Sequence, residues 1–279
     1  MKKKLIKSFA KINLSLDVVG KDRNNFHKIQ SIFSFLKHHD EIKIQPIEKK
    51  KHLVMFIGPF SRRIKNNSIK KLLNILDKKK LLTKKYKIKV IKNIPQKSGL
   101  GGGSMNAASI LSYFLQEKIV NLSKKDLLLI CSKIGSDVSL GLEIKNSILK
   151  KNNSIRKFNN KLGLHALLVK PNIGCSTKKI YKGVKSLSKK RINLSKNLFS
   201  IESLKNEQND LEKPAFKIYP SLIKIKTYLS NIDQVKFVRM TGSGSTIVAY
   251  FTNKKAALNA LKLTKKNFKN YWSILSKTI

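Results

Sequence analysis

Acidic residues are scarce in this chain: 15 Asp and Glu stand against 60 Lys and Arg, for a formal net charge of +45. Read alone, that excess points to nucleic acid or an anionic membrane surface. Arginine is scarce too. Only Arg23, Arg62, Arg63, Arg156, Arg191 and Arg239 occur, although arginine is the favoured donor for bidentate phosphate and guanine contacts. The lysines fall in every segment and travel with an excess of Asn and Ile, the residues that adenine- and thymine-rich codons spell. Genome drift is the simpler source of the charge, and no nucleic-acid partner is expected, though the field would still draw anionic ligands.

Cysteine is nearly absent. Cys131 and Cys175 are too few and too far apart in sequence for a disulfide framework or a thiolate metal site, which suits a reducing cytoplasm. Cys131 shares a helical spacing with Leu127, Ile130 and Ile134, so it reads as a small core residue. Long apolar runs are missing as well. Lys7 and Lys11 interrupt the stretch that a signal peptide starting at MKKKLIKSFAKINLSL would require, and nothing reaches the roughly 18 apolar residues of a membrane span. The expectation is a soluble, cytoplasmic protein without membrane contact.

What is present suits an ordinary globular enzyme. The 279 residues are 41% apolar and 27% charged, which predicts a full core and, at roughly 100 to 200 residues per domain, two domains. Ile12, Leu14, Leu16 and Val18 alternate with Lys11, Asn13, Ser15 and Asp17, predicting a half-buried strand with Lys11 and Asn13 on one face. Tyr86 to Ile94 reads as a second strand, ended by Pro95, and Met105 to about Gln116 as a helix. Another helix starts at Ser123, with Asp126 completing a capping-box-like signal, and stops at Gly135, placing Asp137 in the following turn. Leu162 to Lys170 is a strand ending at Pro171, and residues 235–251 read strand, glycine turn, strand, with a helix after them. Strands and helices mixed on both sides of residue 160 predict an α+β fold with domains at 1–160 and 161–279, the polar KKNNSIRKFNNK of 150–161 serving as connector or loop.

The densest signal is PQKSGLGGGSMNAA at 95–108, which joins a strand to a helix. Glycine lets backbone approach an anion closely while the first amides of a helix point at it unpaired, so phosphate is the guest that fits. A tight turn would need only one or two glycines, each costing roughly 1 kcal/mol of ordering relative to alanine. The stretch lacks the GK[ST] ending of a Walker loop, and Ser104 breaks the dinucleotide G-x-G-x-x-G pattern. Ser104 reads either as the N-cap of the helix or as a hydroxyl given to a phosphate or its magnesium.

These residues resemble the P-x-x-x-G-L-G-S/G-S motif of the GHMP kinases. SFAKINLSL at 8–16, GSDVSLGL at 135–142 and RMTGSGSTIVAYF at 239–251 are similar to three further motifs of that family, in the same order. The resemblance implies a ribosomal protein S5 domain 2-like N-terminal domain, a ferredoxin-like C-terminal domain and an active site between them. It implies ATP-dependent phosphorylation of an alcohol with Mg2+ arriving on the nucleotide; a monomer or weak homodimer is expected. The Phe26-His27 pair and Asn106 are similar to the branch of the family that acts on a cytidine diphosphate methylerythritol, in the non-mevalonate route to isoprenoids. Acceptors such as homoserine or mevalonate, a basic nucleic-acid-binding protein on an S5-like fold, and a relative that only binds ATP are the competing readings.

Carried over residue by residue, the resemblance makes Asp137 the acid that accepts or orients the proton of the attacking hydroxyl, with Lys11 beside it. Pro95, Gly99, Leu100, Gly101, Gly102, Gly103 and Ser104 would wrap the ATP phosphates, and Asn67 and Lys92 would approach the adenine. Asn13 would meet the erythritol hydroxyls, Phe26 and Tyr181 would flank cytosine, His27 would bond its edge, and Thr177 would lie near the substrate. Gly242, Ser243 and Gly244 would support loop and substrate, although a plain hairpin turn also accounts for them. Phe26 replaces the family's tyrosine at its position. No protein metal site is expected, since His27, His38, His39, His52 and His165 form no credible ligand set.

Overall fold

The structure, a computed structural model, describes residues 4–22, 25–62, 64, 67–189, 192 and 197–279. In chain order the first half holds β1 (Lys4–Asn13), β2 (Asp17–Lys21), β3 (His27–Ile47), β4 (Leu53–Ile57), α1 (Ser68–Lys78), β5 (Lys85–Ile91), α2 (Gly102–Gln116) and α3 (Lys124–Ile134). A 3-10 turn (Ser139–Leu142), β6 (Asn146–Leu149), β7 (Ile155–Phe158) and β8 (His165–Lys170) follow. The remainder holds α4 (Thr177–Lys182), α5 (Ile201–Lys205), α6 (Glu212–Ile218), α7 (Ser221–Ser230), β9 (Phe237–Met240), β10 (Ile247–Phe251), α8 (Lys254–Asn267) and β11 (Trp272–Lys277). Among the described residues no helix is long and apolar enough to cross a membrane.

The chain forms two compact units that interleave along the sequence: Met1–Lys11, His38–Gln96 and Gly101–Ile144 make the first, and Ile12–Lys37, Lys97–Leu100 and Lys145–Ile279 the second. In the first unit β5 pairs antiparallel with β3, from Glu41 opposite Ile91 to Ile47 opposite Lys85, and β4 joins β5 in parallel. Alternation along β5 buries Tyr86, Ile88 and Val90. They pack into one core with Ile69, Leu72, Leu73 and Leu76 of α1, whose spacing lines a single helix face. Cys131 of α3 lies in this core as its spacing predicts, and burial pushes its thiol up to about 11.

In the second unit β8 to β11 form an antiparallel sheet in the order β11-β8-β10-β9. Its strands are connected β8, helices, β9, β10, α8, β11, which is the ferredoxin-like arrangement. Leu222, Ile225 and Leu229 of α7 and Ala257 and Ala260 of α8 share its core with Leu167, Val169, Ile247 and Ala249.

Several local expectations are corrected. The alternating segment 11–18 is not half-buried: its polar members are buried too, because each has a partner. Asn13 Nδ2 donates to Ser31 Oγ (2.9 Å), Ser15 Oγ accepts from the Ile32 amide (3.1 Å) and Asp17 Oδ2 accepts from Gln30 Nε2 (3.1 Å). Residues 150–161 are not a plain connector. The Lys150 amide bonds Ser154 O (2.9 Å), Asn153 takes φ 62°, and the turn closes a hairpin in which Asn146 to Leu149 face Phe158 to Ile155. The second strand ends at Ile91 rather than Ile94, since the amides of Asn93 and Ile94 bond the Asp40 carboxylate.

Candidate active site

The glycine stretch behaves as a helix entrance in the first unit. α2 begins at Gly102, three residues before its apolar pattern announces it, and its N-cap is Gly101 at φ 67° with no side-chain cap. The N-cap reading of Ser104 is therefore overturned: Ser104 lies inside the first turn, and Gly101, having no side chain, gives the leading amides of α2 no cap. Such an end offers oriented donors and the positive end of a helix dipole.

Lys11 crosses this entrance. A β-carbon at Gly101 would lie 2.7 Å from Lys11 Cγ, so glycine is required both by φ and by space. The Lys11 side chain then reaches Asp137, Nζ to Oδ2 at 3.2 Å. Lys11 is 5% exposed, whereas the Asp137 side chain keeps 26%. The carboxylate is thus open to a ligand, while the ammonium that fixes it is not. Asp137 occupies the turn after α3, a helix held by its predicted cap: Ser123 Oγ accepts the Asp126 amide (3.0 Å) and donates to the Asp126 carboxylate (2.7 Å).

Two residues expected near adenine have other engagements in the same unit. Asn67 is the N-cap of α1, its Oδ1 accepting the amides of Ile69 and Lys70 at 3.1 Å each. Lys92 forms a buried ion pair with Asp40, and its Nζ stands 3.2 Å from where a β-carbon of Gly102 would be, at the first turn of α2. Pro95 is buried in the lead-in, and a β-carbon at Gly103 would come no nearer than 3.5 Å to Ser68 Oγ.

The second unit gathers a separate set. Gly99, at φ 76°, leaves no room for a side chain, since a β-carbon would meet Thr241 O at 2.1 Å. Thr241 Oγ1 accepts the Asn13 amide (3.0 Å) and donates to Gly99 O (3.2 Å). Thr177 Oγ1 and Ser243 Oγ are 2.8 Å apart, and the rings of His27 and Tyr181 lie with centroids 5.1 Å apart. Desolvation and the nearby Lys21 charge hold His27 below the ordinary histidine range, which favours the neutral ring. Phe26 is 70% exposed. Its backbone is fixed instead, the amide bonding Asp22 Oδ1 at 2.9 Å. The turn after β9 is more than a hairpin connection, because Asn209 Nδ2 donates to both Met240 O and Gly242 O at 2.8 Å and so holds its backbone from outside.

Sequence reasoning missed Thr241, Asn209 and Asp40. Thr241 sits inside a motif already quoted, RMTGSGS, and could have been found there. Asn209 and Asp40 act across 31 or more positions of sequence, and no local pattern marks them. Among the described residues no group of three or more His, Cys, Asp and Glu could hold a metal ion.

Comparison with known proteins agrees with this layout. Residues 67–143 match the GHMP kinases N terminal domain and residues 184–270 the GHMP kinases C terminal region. The chain is 53% identical over 277 residues, 98% of each chain, to the 4-diphosphocytidyl-2-C-methyl-D-erythritol kinase of Pelagibacter ubique (strain HTCC1062). It is 34% identical to that of Petrotoga mobilis over 253 residues, 87% of this chain and 96% of the relative. Among solved structures a 4-(cytidine 5'-diphospho)-2C-methyl-D-erythritol kinase superposes with a TM-score of 0.78 at 21% identity, covering 98% of this chain and 99% of the other. A homoserine kinase from Cytophaga hutchinsonii superposes with 0.68 at 18%, covering 100% and 96%. With both family regions matched in order, a relative alike over nearly its whole length and the glycine-capped helix in place, the chain belongs to the GHMP kinase family.

Proposed function

We propose that the protein is an ATP-dependent kinase of 4-diphosphocytidyl-2-C-methyl-D-erythritol, phosphorylating its 2-hydroxyl in the non-mevalonate route to isoprenoid precursors. The observation that carries this reading is the convergence at Gly101, where Lys11 passes over the uncapped start of α2 on its way to Asp137. Family membership and the 53% identical relative supply the substrate.

The amides at the start of α2, with Ser104, bind the ATP phosphates. The acceptor oxygen attacks the terminal phosphorus and the bond to the bridging oxygen of ADP breaks, while the hydroxyl proton passes to Asp137 Oδ. Lys11 holds that carboxylate in place and offsets negative charge on the transferred group. Ser104 and Asp137 are the groups of this chain that would approach an Mg2+ bound with ATP, which would neutralise phosphate charge. In the second unit Asn13 takes the polyol hydroxyls, His27 and Tyr181 receive the cytosine together with Phe26, and Thr177, Gly242 and Ser243 line the substrate's path. Pro95, Gly99 and Leu100 shape the lead-in to the loop, and Asn67 meets the nucleotide from the start of α1.

Along the sequence we divide the chain into an ATP-binding part, 1–160, and a C-terminal part, 161–279, on family matches that fall on either side of residue 160, with 12–37, 97–100 and 145–160 packing in the second unit. We take the acting species to be a monomer or weak homodimer. Two buried free thiols suit a cytoplasmic setting.

The test is ADP release with 4-diphosphocytidyl-2-C-methyl-D-erythritol, homoserine and mevalonate as alternative acceptors. Turnover should require the cytidine substrate, and Asp137→Ala should lower kcat at least about a hundredfold. Equal turnover of homoserine, or an Asp137→Ala enzyme as fast as the parent, would refute the assignment.

A further inference from the structure

Asp40 is fully buried, and both its oxygens are engaged. Oδ1 accepts the amides of Asn93 and Ile94 at 2.8 Å each, and Oδ2 accepts from the Lys92 ammonium. The segment is tied down further on each side: His38 Nε2 donates to Asn93 O at 2.9 Å, and Asn93 Nδ2 donates to His39 O at 3.1 Å. Asp40 thus fixes the backbone that leads from β5 to the glycine stretch and holds the charge that the same backbone carries. An ammonium buried this deeply needs an anionic partner, and where the partner sits decides where the ammonium points. Here it points to the first turn of α2, with Nζ 3.2 Å from the β-carbon position of Gly102. Lys has three donors and Asp40 accepts one of them.

We propose that Asp40 is a positioning residue of the nucleotide site: it holds the Lys92 ammonium at the start of α2, where the ammonium meets a nucleotide phosphate, and so sets ATP affinity without touching ATP. This rests on the reading that α2 begins at an ATP site. It differs from the resemblance, which brings Lys92 towards the adenine. A purely structural aspartate would move stability alone, whereas a positioning one moves ATP affinity, and only while Lys92 is present.

The experiment is a double-mutant cycle in the full chain, reading the Kd of a non-hydrolysable ATP analogue by calorimetry and KM for each substrate. Asp40→Asn should raise the Kd and the KM for ATP at least about tenfold, leaving the KM for the cytidine substrate within about twofold. Against a Lys92→Met background the same change should alter Kd less than about twofold. An unchanged Kd for Asp40→Asn, or an equal rise in both backgrounds, overturns the proposal. Should Asp40→Asn fail to fold, the comparison is Lys92→Met against Asp40→Asn/Lys92→Met, where no buried ammonium is left unpaired. Equal Kd values support the proposal, and a difference beyond about fivefold overturns it. A parent protein that binds no analogue overturns the ATP-site reading as well, whereas a parent that binds and a variant that binds equally overturn this inference alone.

Discussion

Gly101→Ala tests the route by which Lys11 reaches Asp137. The residue sits at φ 67°, and placing an L side chain there costs about 1 to 2 kcal/mol. At about 2 to 4 °C per kcal/mol for a chain of this size class, the melting midpoint should fall by about 2 to 8 °C. The new methyl would also stand 2.7 Å from Lys11 Cγ and 3.0 Å from Cε, inside the roughly 3.5 to 4.0 Å of a relaxed carbon contact. Lys11 must therefore shift by about 1 Å, and a misplacement of that size can cost about a hundredfold in rate. Differential scanning fluorimetry without ligand gives the first quantity and steady-state ADP release the second. Gly103→Ala is the control for the first: it lies within α2, with its nearest foreign atom 3.5 Å away, and should raise the midpoint by stabilising the helix up to about 1 kcal/mol. A Gly101→Ala protein that melts with the parent and keeps its kcat within twofold would mean that Lys11 does not run over Gly101.

Two further expectations concern stability. Burial lowers His38 below the ordinary histidine range, with Asn93 O and Asp40 opposing it and His39 and Lys92 reinforcing it. The unfolded chain therefore binds more protons near pH 6, so stability is present above about pH 6.5 and is lost as pH falls through the lowered native value. The urea midpoint should drop between pH 7.5 and 5.5, and His38→Gln should flatten that slope. Parallel slopes for the two proteins would refute the assignment. Asn209→Ala should cost about 2 kcal/mol by urea titration, because two buried carbonyls lose their donor. Asn209→Asp should cost more, since it turns an oxygen towards the same two carbonyls, and a ranking in the opposite order would show that Nδ2 is not the group that faces them.

The parts of this molecule legible in its sequence are those written in neighbouring residues. Ser123 with Asp126, the amphipathic face of α1 and the glycines before α2 are local patterns, and local chemistry produces what they announce. The start of α2 was read three residues late because Gly102 and Gly103 have poor helix propensity, which Lys92, Ile94 and Ser68 packed around them override. The hairpin at 146–158 was hidden because Asn152 and Asn153 look like linker composition, although two asparagines between short apolar runs also make a tight turn. Lys11 and Asp137 emerged only through family likeness, being 126 positions apart and each ordinary in its own surroundings. The Asp40 clamp spans 52 to 54 positions, and nothing in HHDE distinguishes a fully buried carboxylate from a solvated one.

The interleaving of the two units has a consequence for synthesis on the ribosome. The Ile279 amide bonds Phe35 O at 3.0 Å, and the Thr278 amide bonds Leu164 O at 2.9 Å. Residues 12–37 emerge early, yet the last contacts of the body they belong to form only after residue 279 has been made. For most of translation that early segment waits with its apolar side chains unclaimed, so a nascent chain stalled before β11 is a natural client for holding chaperones.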